Sequence, residues 1–155
     1  MIHSLSELIG AWQYTRGLTL TFAQELSDSD LDKPLPRKNL NTIRLQIEEM
    51  AMIQEDYINA LATKAINFST APLKDTSTQG LIKKLTALDA MLEKNLESFD
   101  GTENIDWFGE AMNIHAHIAA MIGHENMHIG QIVAFCYATG ITIPAKVVET
   151  MALDG

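Results

Sequence analysis

The chain reads as an all-α protein: a four-helix bundle with one long crossover connection and a short C-terminal helix, forming a single domain over residues 1–155. Three observations predict it. Apolar residues recur at three-four spacing in four long segments. Breaks rich in Pro, Gly, Asp and Ser separate those segments. No stretch alternates apolar and polar residues in the manner of a half-buried strand. Four helices of about 20 to 30 residues bury a core by packing their apolar stripes together.

Each element has its own signals. Ser4 followed by Glu7 predicts a capping box that opens a helix running to about Leu26. Its stripe is Leu5, Leu8, Ile9, Trp12, Thr15, Thr19, Phe22 and Leu26. The segment SDSDLDKPLPRKN, with two prolines, ends it. A second helix is expected over residues 40–65, followed by the loop NFSTAPLKDTST. Leu81, Leu85, Leu88, Leu92, Leu96 and Phe99 mark a third. After DGTENID, the last long helix is expected from Glu110 to Thr139, with Gly140 as its stop and Pro144 opening a terminal helical turn.

Composition narrows the function. The net charge is −9, from 20 acidic and 11 basic residues, and Lys and Arg are nowhere concentrated beyond Arg37-Lys38 and Lys83-Lys84. Binding to a nucleic-acid backbone or an anionic membrane surface needs a basic footprint, so neither partner is expected. The N-terminal residues lack the basic and apolar regions of a signal peptide, and no stretch approaches the length of a membrane span. The single cysteine, Cys136, excludes an internal disulfide framework. These features predict a cytoplasmic protein.

The informative stretch is HENMHIGQ, residues 124–131. At about 100° per residue, His117, Met121, His124, His128, Gln131 and Phe135 fall on one stripe within about 40° of His117. Ile114, Ile118, Ile132 and Val133 flank it, so the stripe faces the core. His115 falls about 160° away and is expected in solvent. Buried imidazoles on an apolar face are costly unless something pairs with them, and a metal ion accounts for several at once. Each one alone could instead be a satisfied core histidine.

A third ligand is sought on the second helix. There Glu49 lies inside the apolar arc formed with Leu45, Met52, Ile53 and Ala60, whereas Arg44, Glu48, Glu55 and Asn59 group on the opposite face and are expected in solvent. Asp56 follows Glu49 by two turns and is expected to pair with Thr or Tyr hydroxyls. A carboxylate at Glu49 would be poorly tolerated without a cation nearby. Glu49, His124 and His128 are therefore the candidate metal ligands. Two imidazoles and one carboxylate leave coordination positions open, as in catalytic sites, and suit Zn, Ni, Fe or Mn. His117 and Gln131 are the candidate catalytic residues, positioning a nucleophile or taking its proton.

The sequence HENMHIGQIVAFCYATGITIP resembles the C-terminal signature of the DinB-like superfamily of metal-dependent proteins, through His124, Glu125, His128, Gly130 and Gln131. The resemblance implies a four-helix bundle, usually a homodimer, with a divalent metal held by three histidines. It also implies hydrolase or thiol-dependent S-transferase activity on a small molecule, with a low-molecular-weight thiol as a candidate co-substrate. The family's first histidine corresponds in this chain to Glu49, a departure that changes the charge of the ligand set.

Two other readings compete. HENMH satisfies H-E-x-x-H, the pattern of zincin-type proteases, with Glu125 as base. Glu125, however, lies about 80° off the stripe, and an all-helical chain lacks a strand to hold peptide. Alternatively the bundle is a non-catalytic metal-binding or dimeric interaction protein, its eight methionines serving helix packing. Thr15 and Thr19 either line the pocket or bond back to their own helix. Cys136, about 80° from His128, reads as a small core residue.

Overall fold

The computed structural model describes residues 2–154. Its elements are α1 (His3–Glu25), α2 (Asp28–Leu31), α3 (Ile43–Thr63), α4 (Thr78–Leu96), β1 (Asn104–Trp107), β2 (Glu110–Asn113), α5 (Ile114–Thr139) and α6 (Ala145–Met151). Leu81, Leu85, Leu88, Leu92 and Leu96 of α4 are all sealed in the core, as their spacing predicts.

Helix α1 packs on α4 and α5, and α3 packs on α4 and α5, so α1 and α3 stand diagonally across the bundle. The cross-helix bonds give the directions. Glu49 and Tyr57 of α3 reach His128 and His117 of α5, an antiparallel pairing. Ser4 and Thr19 of α1 reach His115 and Glu125 of α5, a parallel one. On the α3–α4 pair, Glu55 meets Lys84, and Arg44 meets Thr78 at the N-terminal end of α4. These sequential helices run the same way, so residues 64–77 must travel back along the bundle. This is the expected long crossover.

The crossover explains a departure from the helical wheel. Glu48, expected in solvent, is buried, and Arg44 is largely so, because the returning strap covers that face of α3. Three side chains of α3 hold the strap along its length. Asp56 accepts from the backbone N–H of Ser69 and Thr70 and from the Thr70 hydroxyl. Glu48 accepts from the N–H of Leu73 at 3.0 Å. Arg44 donates to the Thr76 carbonyl while pairing with Asp28 and Asp32. The expected hydroxyl partner of Asp56 is thus Thr70, in the strap.

Three boundaries differ from the sequence expectations. The Ser4–Glu7 capping box does not form. Helix α1 starts at His3, and Ser4 instead bonds the ring of His115 at 2.8 Å, which draws that histidine out of the solvent position expected for it. A four-residue helix, α2, forms where only a loop was expected, because Ser27 caps it by accepting from the N–H of Asp30. Residues 104–113, expected to be loop and helix, make a β-hairpin. Phe108 and Gly109 form its two-residue turn with φ of 54° and 96°, the doubly positive pair that such tight hairpins require. Asp106 also exchanges backbone bonds with Lys64 and Ile66, so the hairpin ties the strap to the start of α5. Asn113 then caps α5 through the N–H of His115. Gly140, with φ of 69°, ends it as expected.

Candidate metal centre

Helices α3 and α5 bring Glu49, His124 and His128 together. One carboxylate oxygen and one ring nitrogen from each histidine all lie within 4.8 Å of one another. Oε2 of Glu49 is 2.7 Å from Nε2 of His128 and 3.3 Å from Nε2 of His124. The two rings meet edge to face with centroids 4.7 Å apart, as i, i+4 spacing on one helix dictates.

Two polar atoms of this cluster lack well-aligned hydrogen bonds, as do Nε and Nη1 of Arg16 and Nε2 of Gln46. Oε2 of Glu49 and Nε2 of His128 are sealed from solvent, yet neither has a hydrogen-bond partner of acceptable geometry, despite their short separation. Such atoms are aimed at a shared point rather than along a bond to each other. An unsatisfied polar atom in the interior is costly, and a cation at that point would satisfy both lone pairs together. The donor set therefore fits a divalent ion. On its other side, Nδ1 of His128 faces Oε1 of the buried Gln46 at 3.3 Å. Donation from Nδ1–H to that oxygen leaves Nε2 as the nitrogen with the free lone pair, the outer support that metal-binding histidines commonly have.

Electrostatics keep the acid ionised. Burial pushes the Glu49 carboxyl up, but the two imidazoles 2.7 and 3.3 Å from it outweigh burial and hold it at about 2. His128 is fully buried, whereas the His124 and Glu49 side chains keep about a quarter of their surface, 22% and 26%. The cluster is open on one side, which leaves approach for further ligands.

The remaining sequence-predicted residues do not join it. His117 is buried, but both ring nitrogens are occupied by the protein. Nδ1 accepts from the Trp107 indole at 3.1 Å, and Nε2–H donates to the Tyr57 carbonyl at 3.0 Å. Burial holds its pKa below the usual histidine value. A neutral imidazole with both nitrogens bonded offers neither a ligand atom nor a free base, which corrects the expectation placed on His117. Gln131 lies one turn beyond His128, and its Oε1 accepts from Arg37 at 3.0 Å. Thr15 accepts from Asn126, and Thr19 donates to Glu125 at 2.5 Å, so neither hydroxyl bonds back to its own helix. Cys136 is a buried core residue whose thiol burial pushes up to about 11.

Glu125 turns away from the cluster, as the wheel predicts, into a buried network that sequence reasoning missed. Its Oε1 is 3.1 Å from Nη1 of Arg16, which is itself 97% buried, and the same guanidinium lies 3.3 Å from Asp89 and donates to Gln54 at 2.6 Å. Trp12 and Gln54 both donate to Asp89. One residue or more from each of α1, α3, α4 and α5 meets here. Burial raises the Glu125 carboxyl's pKa against the opposing pull of Arg16 and Thr19. The signal was present in the sequence: Arg16 lies four residues after Trp12 and three before Thr19, on the inward stripe of α1.

An all-helical bundle with a His–His–carboxylate cluster between two inner helices defines a class, the helical proteins with a candidate metal centre in the bundle core. The model of the DinB family matches residues 1–149, and the chain belongs to that family. The solved structure of a DinB-like protein from Bacillus cereus has the same fold, with a TM-score of 0.72 at 20% sequence identity over 89% of this chain and 94% of that one. No curated relative matches the chain.

Proposed function

We propose that the protein is a divalent-metal-dependent enzyme acting on a small molecule, a hydrolase or a thiol-dependent S-transferase, with Glu49, His124 and His128 as the metal ligands. The observation that carries this reading is the convergence beside His124 of Oε2 of Glu49 and Nε2 of His128, both sealed from solvent and without a well-aligned hydrogen bond. A divalent ion held there supplies Lewis acidity and lowers the pKa of a bound water or thiol. The chain's own residues do the rest. Gln46 fixes the tautomer of His128, the ionised Glu49 offsets cationic charge, and the exposed edge of His124 faces the side open to substrate. His117 is a structural residue in this reading, and Gln131 acts by orienting Arg37.

Elemental analysis of untagged protein beside a Glu49→Ala variant tests it. About one equivalent of divalent metal is expected in the parent, and its loss in the variant. Unchanged metal in the variant removes Glu49 from the ligand set. A parent that takes up no Zn, Ni, Fe or Mn leaves the interaction-protein reading in its place.

A cytoplasmic homodimer completes the proposal. Among the described residues no helix is long and apolar enough to cross a membrane, and the one cysteine is buried. The outer stripes of α1 (Gly10, Gly17) and α5 (Gly123, Gly130) have open space beside every Cα, next to exposed Tyr14, Met127 and Tyr137. Small residues let a second helix approach closely, and sedimentation velocity reads the result directly.

A further inference from the structure

The chain has three arginines, and two of them are fully committed. Arg16 is paired with Asp89 and Glu125, and Arg44 with Asp28 and Asp32. Arg37 is different. In a protein of net charge −9, its guanidinium has no carboxylate partner among the described residues. It donates through Nη1 to Oε1 of Gln131 at 3.0 Å and lies 5.7 Å from the centre of the Phe135 ring. Its side chain is otherwise exposed, with Lys38 exposed beside it.

Gln131 and Phe135 fix where that guanidinium sits. Both belong to the α5 stripe that carries His124 and His128, and Gln131 is one turn further along, a rise of about 4.5 Å from His128. Gln46, which supports His128, lies one turn before Glu49 on the antiparallel α3, at the same end of the cluster. The segment between α2 and α3 therefore places a tethered cation against the same stripe, between positions one and two helical turns beyond His128. A glutamine oxygen and an aromatic face orient a guanidinium without neutralising it.

We propose that Arg37, tethered by Gln131 and Phe135, is a substrate-binding residue that receives a carboxylate while the other end of the same small molecule reaches the metal centre. The inference rests on the proposed function and specifies its substrate class, a small monoanionic molecule with a metal-seeking group several bonds from a carboxylate. Gln131 occupies one N–H of the guanidinium and leaves a fork edge free, which matches a single planar carboxylate. A carboxylate held several bonds from the metal-seeking group is beyond the reach of the ion, so Arg37 sets the preference.

The test uses protein loaded with Co2+, whose thiolate-to-metal absorption reports binding without turnover. Mercaptocarboxylic acids from mercaptopropionate to mercaptohexanoate are titrated beside the mercaptoalcohols of equal length. At the chain length that spans the two sites, the acid is expected to bind about tenfold more tightly than the alcohol. Arg37→Met should abolish that difference by weakening the acid alone, and Arg37→Lys should restore part of it. Equal affinity for acid and alcohol at every length in the parent overturns the proposal. So does an equal loss for both in Arg37→Met, which would make Arg37 a structural tether only. Failure of the parent to take up Co2+ overturns the functional reading together with this one, whereas uptake without discrimination overturns this one alone.

Discussion

Two histidines on one stripe of α5, both buried, have opposite surroundings. His117 has a donor on one ring nitrogen and an acceptor on the other, Trp107 and Tyr57, and rings of both pack against it. His128 has one nitrogen supported by Gln46 and the other pointed, without a bond, at the point its neighbours share. Burial is thus not what separates a structural histidine from a candidate ligand. The separation lies in whether the chain itself provides complementary partners for both nitrogens. The Arg16 network beside His124 sharpens the contrast: there the chain supplies its own cation to the two carboxylates.

The largest effect should come from His128→Ala, which removes a proposed ligand. Metal affinity is expected to fall by more than the roughly 10–100-fold that loss of a supporting partner costs. Gln46→Leu should fall within that 10–100-fold range. Isothermal titration with Zn2+ reads both, and unchanged affinity in His128→Ala would end the distinction between the two histidines. Arg16→Ala strands two carboxylates in the interior, so stability should drop by about 3–5 kcal/mol in chemical denaturation. Loss of metal without loss of stability in that variant would mean that the network belongs to the site rather than to the scaffold.

His117→Phe should leave metal affinity unchanged and cost about 1–3 kcal/mol, since it strands the Tyr57 carbonyl and the Trp107 indole. Its pH signature is the finer measurement. The folded pKa of His117 lies below the ordinary 6.5, so the unfolded chain takes up a proton first as pH falls. Its favourable contribution is complete above about 6.5 and is lost below it, toward the depressed folded value. Denaturation midpoints followed from pH 7.5 to 5 should therefore show a shallower decline in His117→Phe than in the parent. An identical slope in both would show that this ring is not held neutral.

The stripe of α5, the inward position of Glu49 and the turn of Glu125 away from the cluster were all legible, because each depends on helical periodicity alone. The leucine pattern of α4 was legible for the same reason. What escaped depends on segments that are not helical. Glu48 reads as a solvent residue on a wheel and is buried only because the strap crosses it. His117 reads as a possible base until the hairpin delivers the Trp107 indole to it. The hairpin itself is short, alternates only over the four residues Asn104–Trp107, and has a Phe-Gly turn rather than the usual Asn-Gly or Asp-Gly signal. Arg16 was visible on its stripe, but its partners come from α4 and α5, whose placement no single-helix wheel provides.

The central claim is that Glu49, His124 and His128 share one ion. Crystals of the protein soaked in Zn2+ and measured at the zinc absorption edge test it most directly. The account predicts one dominant anomalous peak about 2.0–2.2 Å from a Glu49 carboxylate oxygen and from Nε2 of both histidines, with none at His117. A peak coordinated by His117, or zinc bound only at surface carboxylates while Glu49 stays in direct contact with His128, would contradict it.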